Sequence, residues 1–281
     1  MDRSVVFSTS RGPQENLQHG TESWSLACNE VRHALEEYGC FLAMYDAVSF
    51  NNDRDPSIHE SMGIENSTNI AEVKKFSKLM WPQGSDDNFS GIIHEYANLV
   101  AKLVQVVTRM VFESYGVEKL KCDSHIDSIT YLLRFNSYEA PGVDKKTVIA
   151  PPHTDKSLIT ILAPSQVNGL EVNLKDEQWI PVDFLPSSFI VMAADALMAW
   201  SNKRIRPCLH RVQMNANARR SSLLMLSYHK GVLHIPQELI DEENSQRYKP
   251  FDHLGYHSFL KKEVQTGQHV QCDAIKRYCG V

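Results

Sequence analysis

The sequence lacks three features that would assign it to common protein classes. Its 281 residues carry a formal net charge of -5, so no basic surface for nucleic acid is indicated. No apolar run approaches the roughly 18 residues that a membrane-spanning helix needs. The N-terminal Met1-Asp2-Arg3-Ser4 has no charged-then-apolar signal pattern. We therefore expect a soluble, cytoplasmic protein that binds neither nucleic acid nor a membrane.

Cysteine pairs with the spacing of a zinc or redox site are also missing. The six cysteines are scattered, and no two of them form a C-x-x-C motif. Reduced intracellular thiols are the simplest interpretation. Because 42% of the residues are hydrophobic, a chain of this length can bury one sizeable core. We expect a single catalytic unit that is monomeric.

The hydrophobic pattern changes from helical to strand-like near residue 120. Before this point, apolar residues recur every three or four positions, first from Ser23 to a stop at Gly39 and then from a start at Asp86-Asp87 to a stop at Gly116. After it, short β-prone runs alternate with turn residues, which is typical of a sandwich or barrel. Helical patterning returns after Pro236. The sequence therefore predicts a helical N-terminal region over residues 1–120, a β-rich core over residues 121–235 and a helical C-terminal extension over residues 236–281.

Two histidines and one carboxylate stand out in the strand-rich part. His153 and Asp155 precede the β-prone run at residues 158–162, and on an extended chain two side chains at this spacing project to the same side. His210 lies in a second strand-like run, which a folded sheet could bring opposite the pair. Two imidazoles and one carboxylate leave about three positions of an octahedral metal open, which suits a non-haem Fe(II) oxygenase.

Each part of this pattern has an ordinary explanation when it is taken alone. Surface loops often contain an H-x-D pair, and an isolated histidine such as His210 is more often a core residue hydrogen-bonded to backbone. The following Arg219-Arg220-Ser221 could be a solvated pair on a strand edge. Alternatively, an arginine at this place could hold an acidic co-substrate through two parallel hydrogen bonds.

Short segments around these residues occur in the order found in a known family. They are residues 131–138 before the H-x-D pair, residues 168–172 and 178–182 between the metal-binding candidates, and residues 200–204 before His210. Together they resemble the plant 2-oxoglutarate- and Fe(II)-dependent dioxygenases. Within that superfamily, residues 34–41, 111–116 and 196–202 are similar to the specialised-metabolism branch, which includes deoxypodophyllotoxin synthase and the glucosinolate-modifying and auxin-oxidising dioxygenases.

The resemblance implies a fold, a reaction and a set of site residues. The fold is α+β, with a double-stranded β-helix (jelly-roll) core over residues 121–235 and flanking helices. The reaction is hydroxylation, desaturation or ring closure of a small plant metabolite, while 2-oxoglutarate gives succinate and carbon dioxide and ascorbate serves as reductant. No catalytic residue is implied beyond the metal centre. By resemblance, the Fe(II) ligands are His153, Asp155 and His210, and the residues that hold 2-oxoglutarate are Arg219, Ser221, Tyr138 and Asn136.

The sequence departs from this family in its N-terminal half. Members usually have a helix and a loop between a strand like residues 39–41 and a segment like residues 60–64, and here a few dozen of these residues are absent. The missing element normally shields one side of the active site and contributes substrate contacts. Two alternatives to a fully active enzyme follow: a catalytically impaired relative that keeps the metal and co-substrate site, or a binding protein that uses the same barrel.

Overall fold

The computed structural model describes residues 18–44, 59–84, 87–140, 147–165, 167–175, 178–184, 188–214, 219–265 and 274–280. The expected deletion between residues 46 and 58 lies outside the described residues. The helices are α1 (Glu22–Glu37), α2 (Ile70–Met80), α3 (Asp87–Ser114), α4 (Lys119–Asp127), α5 (Asp195–Trp200), α6 (His253–Gln265) and α7 (Ala274–Cys279). None of these helices is both long enough and apolar enough to span a bilayer.

Twelve strands are described, and ten of them form two antiparallel sheets. The strands are β1 (Cys40–Met44), β2 (His59–Glu65), β3 (Ile129–Tyr138), β4 (Thr147–His153), β5 (Ile159–Leu162), β6 (Leu170–Asn173), β7 (Trp179–Pro181), β8 (Ser188–Ala193), β9 (His210–Met214), β10 (Arg220–His229), β11 (Val232–Leu233) and β12 (Phe251–Asp252). The major sheet has the order β1-β8-β5-β10-β3-β2, and the minor sheet has the order β4-β9-β6-β7.

The two sheets pack face to face around an apolar interior. Leu42, Leu162 and Ile190 of the major sheet belong to the same buried cluster as Val172 and Val212 of the minor sheet. This arrangement confirms the predicted jelly-roll core with flanking helices. The strands also cross the predicted boundary at residue 120, because β1 and β2 form the two edges of the major sheet. The N-terminal region is therefore not purely helical.

The helices cover the outer face of the major sheet. The long helix α3 buries one side along its length, including Val100, Val104 and Val111, in the same core as Leu133 of β3 and Met225 of β10. The sequence predicted this helix between Asp87 and Gly116, and the structure confirms it. Gly116 has φ +73°, a backbone conformation that glycine adopts without steric cost and that ends the helix.

The N-cap of helix α1 lies two residues before the predicted one. Thr21, rather than Ser23, is the N-cap, and its side-chain oxygen accepts a hydrogen bond from the Trp24 backbone N–H at 3.2 Å. The predicted stop at Gly39 is confirmed, with φ +75°. A Cβ atom at this position would lie 2.8 Å from the Arg206 carbonyl oxygen, so glycine lets the chain pass close to this loop on its way into β1.

Candidate metal centre and co-substrate site

The three predicted metal-binding side chains converge at one end of the minor sheet. His153 ends β4, His210 begins β9, and the antiparallel pairing places these two residues directly opposite each other. Their ring centroids are 4.2 Å apart. His153 Nε2 lies 3.9 Å from Asp155 Oδ1, and one ligand atom from each of the three residues lies within 4.8 Å of the others. The predicted H-x-D and distant histidine therefore form a compact donor set.

Backbone carbonyls fix the orientation of both imidazole rings. His153 Nδ1 lies 2.8 Å from the Pro151 carbonyl oxygen, and His210 Nδ1 lies 3.0 Å from the Cys208 carbonyl oxygen. A carbonyl oxygen can only accept, so each Nδ1 carries the hydrogen and donates it. The lone pair of each imidazole is then on Nε2, which faces the centre of the donor set.

The charge state of the site favours metal binding. Burial tends to raise the pKa of the Asp155 carboxyl, but its electrostatic interactions with the neighbouring imidazoles and Arg134 and a hydrogen bond from Thr160 outweigh this effect, so the pKa is lowered overall. Burial is also the main cause that lowers the pKa of His210, and this direction favours the neutral ring. An ionised carboxylate and neutral imidazoles are the forms that bind a metal, and this mixed set with open positions fits Fe(II).

A buried hydroxyl pair holds the second oxygen of Asp155. Thr160, which is fully buried, donates a hydrogen bond of 2.7 Å to Asp155 Oδ2. Ser157 Oγ lies 3.0 Å from Thr160 Oγ1 and, since Thr160 donates its hydrogen to Asp155, Ser157 donates to Thr160. Oδ2 is thus occupied by the protein, while Oδ1 faces His153 and remains for the metal.

We expect Thr160→Val to weaken metal binding about 10- to 100-fold, the usual effect of losing a group that orients a ligand. Valine keeps the shape of threonine but leaves Asp155 Oδ2 without its donor. Calorimetric titration of the metal-free protein with Mn²⁺ measures this change, and Thr160→Ser, which retains the hydroxyl, should restore most of the affinity. Equal Mn²⁺ affinity in the valine variant and the wild type would contradict this role.

The turn that carries Asp155 is held by α5 and by the C-terminal helix α6. The backbone N–H of Asp195 donates to the Asp155 carbonyl oxygen at 3.0 Å, and the Asp195 carboxylate pairs with Lys156 Nζ at 2.6 Å. His253, at the start of α6, accepts a hydrogen bond from the His229 N–H and donates one from Nε2 to the Lys156 carbonyl oxygen at 2.9 Å. Burial lowers the pKa of His253 to about 4, so it bridges these elements as a neutral ring.

The predicted Arg219 and Ser221 do not face the interior of the barrel. Arg219 donates from Nε to Ser137 Oγ at 2.7 Å, and the Ser221 side chain is exposed. The neighbouring Arg220 is only 1% exposed and Ser222 only 9% exposed. Successive side chains of a strand point to opposite faces, so the interior of the barrel receives Arg220 and Ser222 instead of Arg219 and Ser221.

The interior pair lies beside the two residues predicted from the N-x-Y pattern. Arg220 pairs with Tyr138 and Ser222 pairs with Asn136 across β10 and β3, so all four side chains share one face. This is the face of Leu224, which packs against the apolar interior. Nε and Nη2 of Arg220 are buried and have no hydrogen-bond partner among the described residues. A buried guanidinium with two unpaired nitrogens is costly, so this position is suited to an anion.

The sequence allows the R-x-S pattern to be placed in two ways. Arg219-Arg220-Ser221 and Arg220-Ser221-Ser222 both match R-x-S, and a shift of one residue moves every side chain to the other face. The next residues, 223–226, are all apolar because both faces of the strand are covered, so no alternation indicates which face is inside.

Comparison with known proteins agrees with this geometry. Residues 129–226 match the model of the 2OG-Fe(II) oxygenase superfamily. The chain is 32% identical to the probable 2-oxoglutarate-dependent dioxygenase AOP1 of Arabidopsis thaliana, over 89% of this chain and 95% of the relative. Two solved structures share the fold: a rice dioxygenase for auxin oxidation (TM-score 0.75, 24% identity, 92% and 96% coverage), and the Arabidopsis dioxygenase for auxin oxidation 1 with 2-oxoglutarate (TM-score 0.71, 23% identity, 80% and 97% coverage).

The metal-binding donor set, the interior arginine and the similarity to AOP1 along most of both chains lead to the same conclusion. This chain belongs to the 2-oxoglutarate- and Fe(II)-dependent oxygenase superfamily, and it is a plant-type dioxygenase that uses Fe(II) and 2-oxoglutarate to oxidise a small molecule.

Proposed function

We propose that His153, Asp155 and His210 are the protein ligands of the Fe(II) ion. The observation that carries this assignment is the convergence of three donor atoms within 4.8 Å, with both imidazoles fixed by carbonyl oxygens and the carboxylate fixed by Thr160. Such rigid positioning before the metal binds is what a catalytic site requires, because it avoids reorganisation during the reaction.

Arg220 and Ser222 are proposed to bind the distal carboxylate of 2-oxoglutarate, in place of Arg219 and Ser221. The planar guanidinium offers two parallel N–H groups, and Ser222 lies two residues further along the same face. Tyr138 and Asn136, the cross-strand neighbours of these residues, supply a hydroxyl and an amide for the remaining polar atoms of the co-substrate. This face is continuous with the apolar interior, which limits the access of water.

The chain's own residues would position the reactants and keep the site dry. Bound Fe(II) and 2-oxoglutarate supply the oxidising chemistry, with succinate and carbon dioxide as co-products. Arg220 would orient the co-substrate from the interior face of the major sheet, and the two Nε2 atoms with Asp155 Oδ1 would hold Fe(II).

The substrate is proposed to be a small plant metabolite that is hydroxylated, desaturated or closed into a ring by a monomeric cytoplasmic enzyme, with no nucleic-acid or membrane partner. The shortened N-terminal half is proposed to alter access to the substrate. The alignment with AOP1 runs over 286 positions while it covers 89% of this 281-residue chain, so the relative contains residues without a counterpart here, which supports this idea. No feature of the described metal centre favours the catalytically impaired alternative.

Succinate formation tests this function directly. Purified protein supplied with Fe(II), 2-oxoglutarate, ascorbate and oxygen should release succinate at a rate above that of a chelator-treated control, and a substrate should accelerate this release. A preparation that binds iron and 2-oxoglutarate but never forms succinate, with or without candidate substrates, would instead support the impaired or binding-protein alternatives.

A further inference from the structure

The interior face of the major sheet carries a second arginine in addition to Arg220. Arg134 lies in the middle of β3, two residues from Asn136, and pairs with Leu224 of β10. Its neighbours Leu133 and Phe135 pack into the outer core with the helices, whereas Leu224 packs into the interior. The alternation of side chains therefore directs Arg134 into the barrel.

Arg134 lies close to the metal centre. Thr160, which holds Asp155, faces Leu226 of β10, and the next interior position along this strand is Leu224, the partner of Arg134. Two strand spacings of about 4.8 Å and an offset of two residues, at about 3.4 Å per residue, separate Thr160 from Arg134, and the long arginine side chain covers part of this distance.

The positive charge of Arg134 has no partner in the part of the chain that is described. The side chain is half-buried, and no described residue forms an ion pair or hydrogen bond with it. Glu65 of β2 lies diagonally across on the same face but does not form an ion pair with it. Lys156, the other cation near the metal centre, is paired with Asp195 at 2.6 Å.

Two interior guanidinium groups that differ in burial indicate that the barrel binds two anions. Arg220 is almost fully buried, which suits the co-substrate, while Arg134 is half-buried and lies on the same interior face as Thr160, the residue that holds Asp155. We propose that Arg134 binds the carboxylate of the substrate and that the enzyme oxidises a small organic acid. This inference rests on the proposed function, in which Arg220 is already engaged by 2-oxoglutarate.

A carboxylate matches Arg134 better than a neutral polar group does. Guanidinium and carboxylate form two parallel charge-assisted hydrogen bonds, and leaving a partly desolvated arginine unpaired is unfavourable. The anchored end of the substrate would lie beside β3, and the remainder would extend toward His153 and Asp155. Arg134 would therefore select the acid form of a substrate and set which carbon faces the metal.

Paired carboxylates and amides test this inference. Phenylacetate, indole-3-acetate and octanoate, each with its primary amide, are titrated anaerobically into the protein loaded with Fe(II) and 2-oxoglutarate, and binding is followed by the change in the metal absorption band. At least one acid should bind the wild type about 10- to 100-fold more tightly than its amide, the usual effect of a charge-assisted pair. Arg134→Gln should abolish this preference, and Arg134→Lys should retain part of it.

Lys261→Gln provides a matched control for the general electrostatic field. Lys261 is exposed on α6. The pKa of His257 is lowered mainly by burial and, to a smaller extent, by the charges of Lys261 and Arg134, so both cations act on the same part of the structure. Losing this charge should change acid binding by about twofold or less, because an exposed charge is screened by solvent. If Lys261→Gln and Arg134→Gln weakened acid binding equally, a direct contact between Arg134 and the carboxylate would be ruled out.

Two further results would overturn the inference. The wild type could bind every amide as tightly as its acid, or bind no acid at all, and either result would exclude a carboxylate anchor for these classes. Arg134→Gln could also weaken 2-oxoglutarate binding, measured separately without substrate, which would assign Arg134 to the co-substrate. If the wild type bound no 2-oxoglutarate, the proposed function itself would fail, and this outcome is distinct from the other two.

Discussion

Replacing Arg220 with Met should raise the KM for 2-oxoglutarate by about 100-fold or more, because two charge-assisted hydrogen bonds to one carboxylate are lost. The same change should raise the melting temperature of the metal-free protein. In this state Nε and Nη2 of Arg220 are buried without partners among the described residues, and an apolar side chain of similar length removes that cost. Opposite effects on stability and affinity indicate a binding residue and not a structural one.

Arg219→Met is the matched control for this experiment. Arg219 differs by one position along the same strand and bonds to Ser137 on the other face. We expect its KM for 2-oxoglutarate to stay within about threefold of the wild type, with a small loss of stability from the missing hydrogen bond. If Arg219→Met raised the KM while Arg220→Met did not, the original assignment of Arg219 and Ser221 would be restored.

Asp155→Asn should abolish measurable succinate formation and weaken Mn²⁺ binding by more than about 100-fold, exceeding the effect of losing an orienting group. Asparagine keeps the size of the side chain but removes the negative charge that balances a divalent cation. Calorimetry with Mn²⁺ measures the affinity. Thermal denaturation gives a second readout, since a metal that binds only the folded state raises the melting temperature.

A second neutralised carboxylate controls for the change in total charge. Asp183 is exposed on the same barrel and accepts a hydrogen bond from Asn168 at 3.2 Å. Asp183→Asn should leave Mn²⁺ affinity and succinate formation close to wild type. Retention of Mn²⁺-dependent stabilisation in Asp155→Asn would show that the metal binds elsewhere.

The sequence contains enough information to predict the metal centre because its geometry depends on local spacing and on one strand pairing. His153 and Asp155 are close in the chain, and the apolar runs that follow His153 and surround His210 favour strands. The long helices were predictable for a similar reason, since periodic apolar residues and glycine stops are local signals. Only the exact cap of α1 differed, because both Thr21 and Ser23 can provide a capping oxygen.

The proposed position of the co-substrate could not be derived in the same way. Whether Arg220 or Arg219 points into the barrel depends on how β10 pairs with β3. This pairing joins residues that are about 80 positions apart in the sequence, such as Arg220 and Tyr138. The importance of Arg134 and Thr160 is likewise visible only in three dimensions, because each acts on a residue that belongs to another strand or turn. Neither residue is part of a motif that indicates its role.

The two edge strands of the major sheet have a consequence for shorter forms of this protein. β1 and β2 both precede Asn66, so a fragment that began there would retain every proposed site residue. It would, however, expose the unpaired backbone of β3, which is ten residues long, and of β8, whose six residues are all buried in the intact protein. Long or apolar edges pair readily with other chains. By covering these edges, the N-terminal strands β1 and β2 protect the catalytic barrel from aggregation.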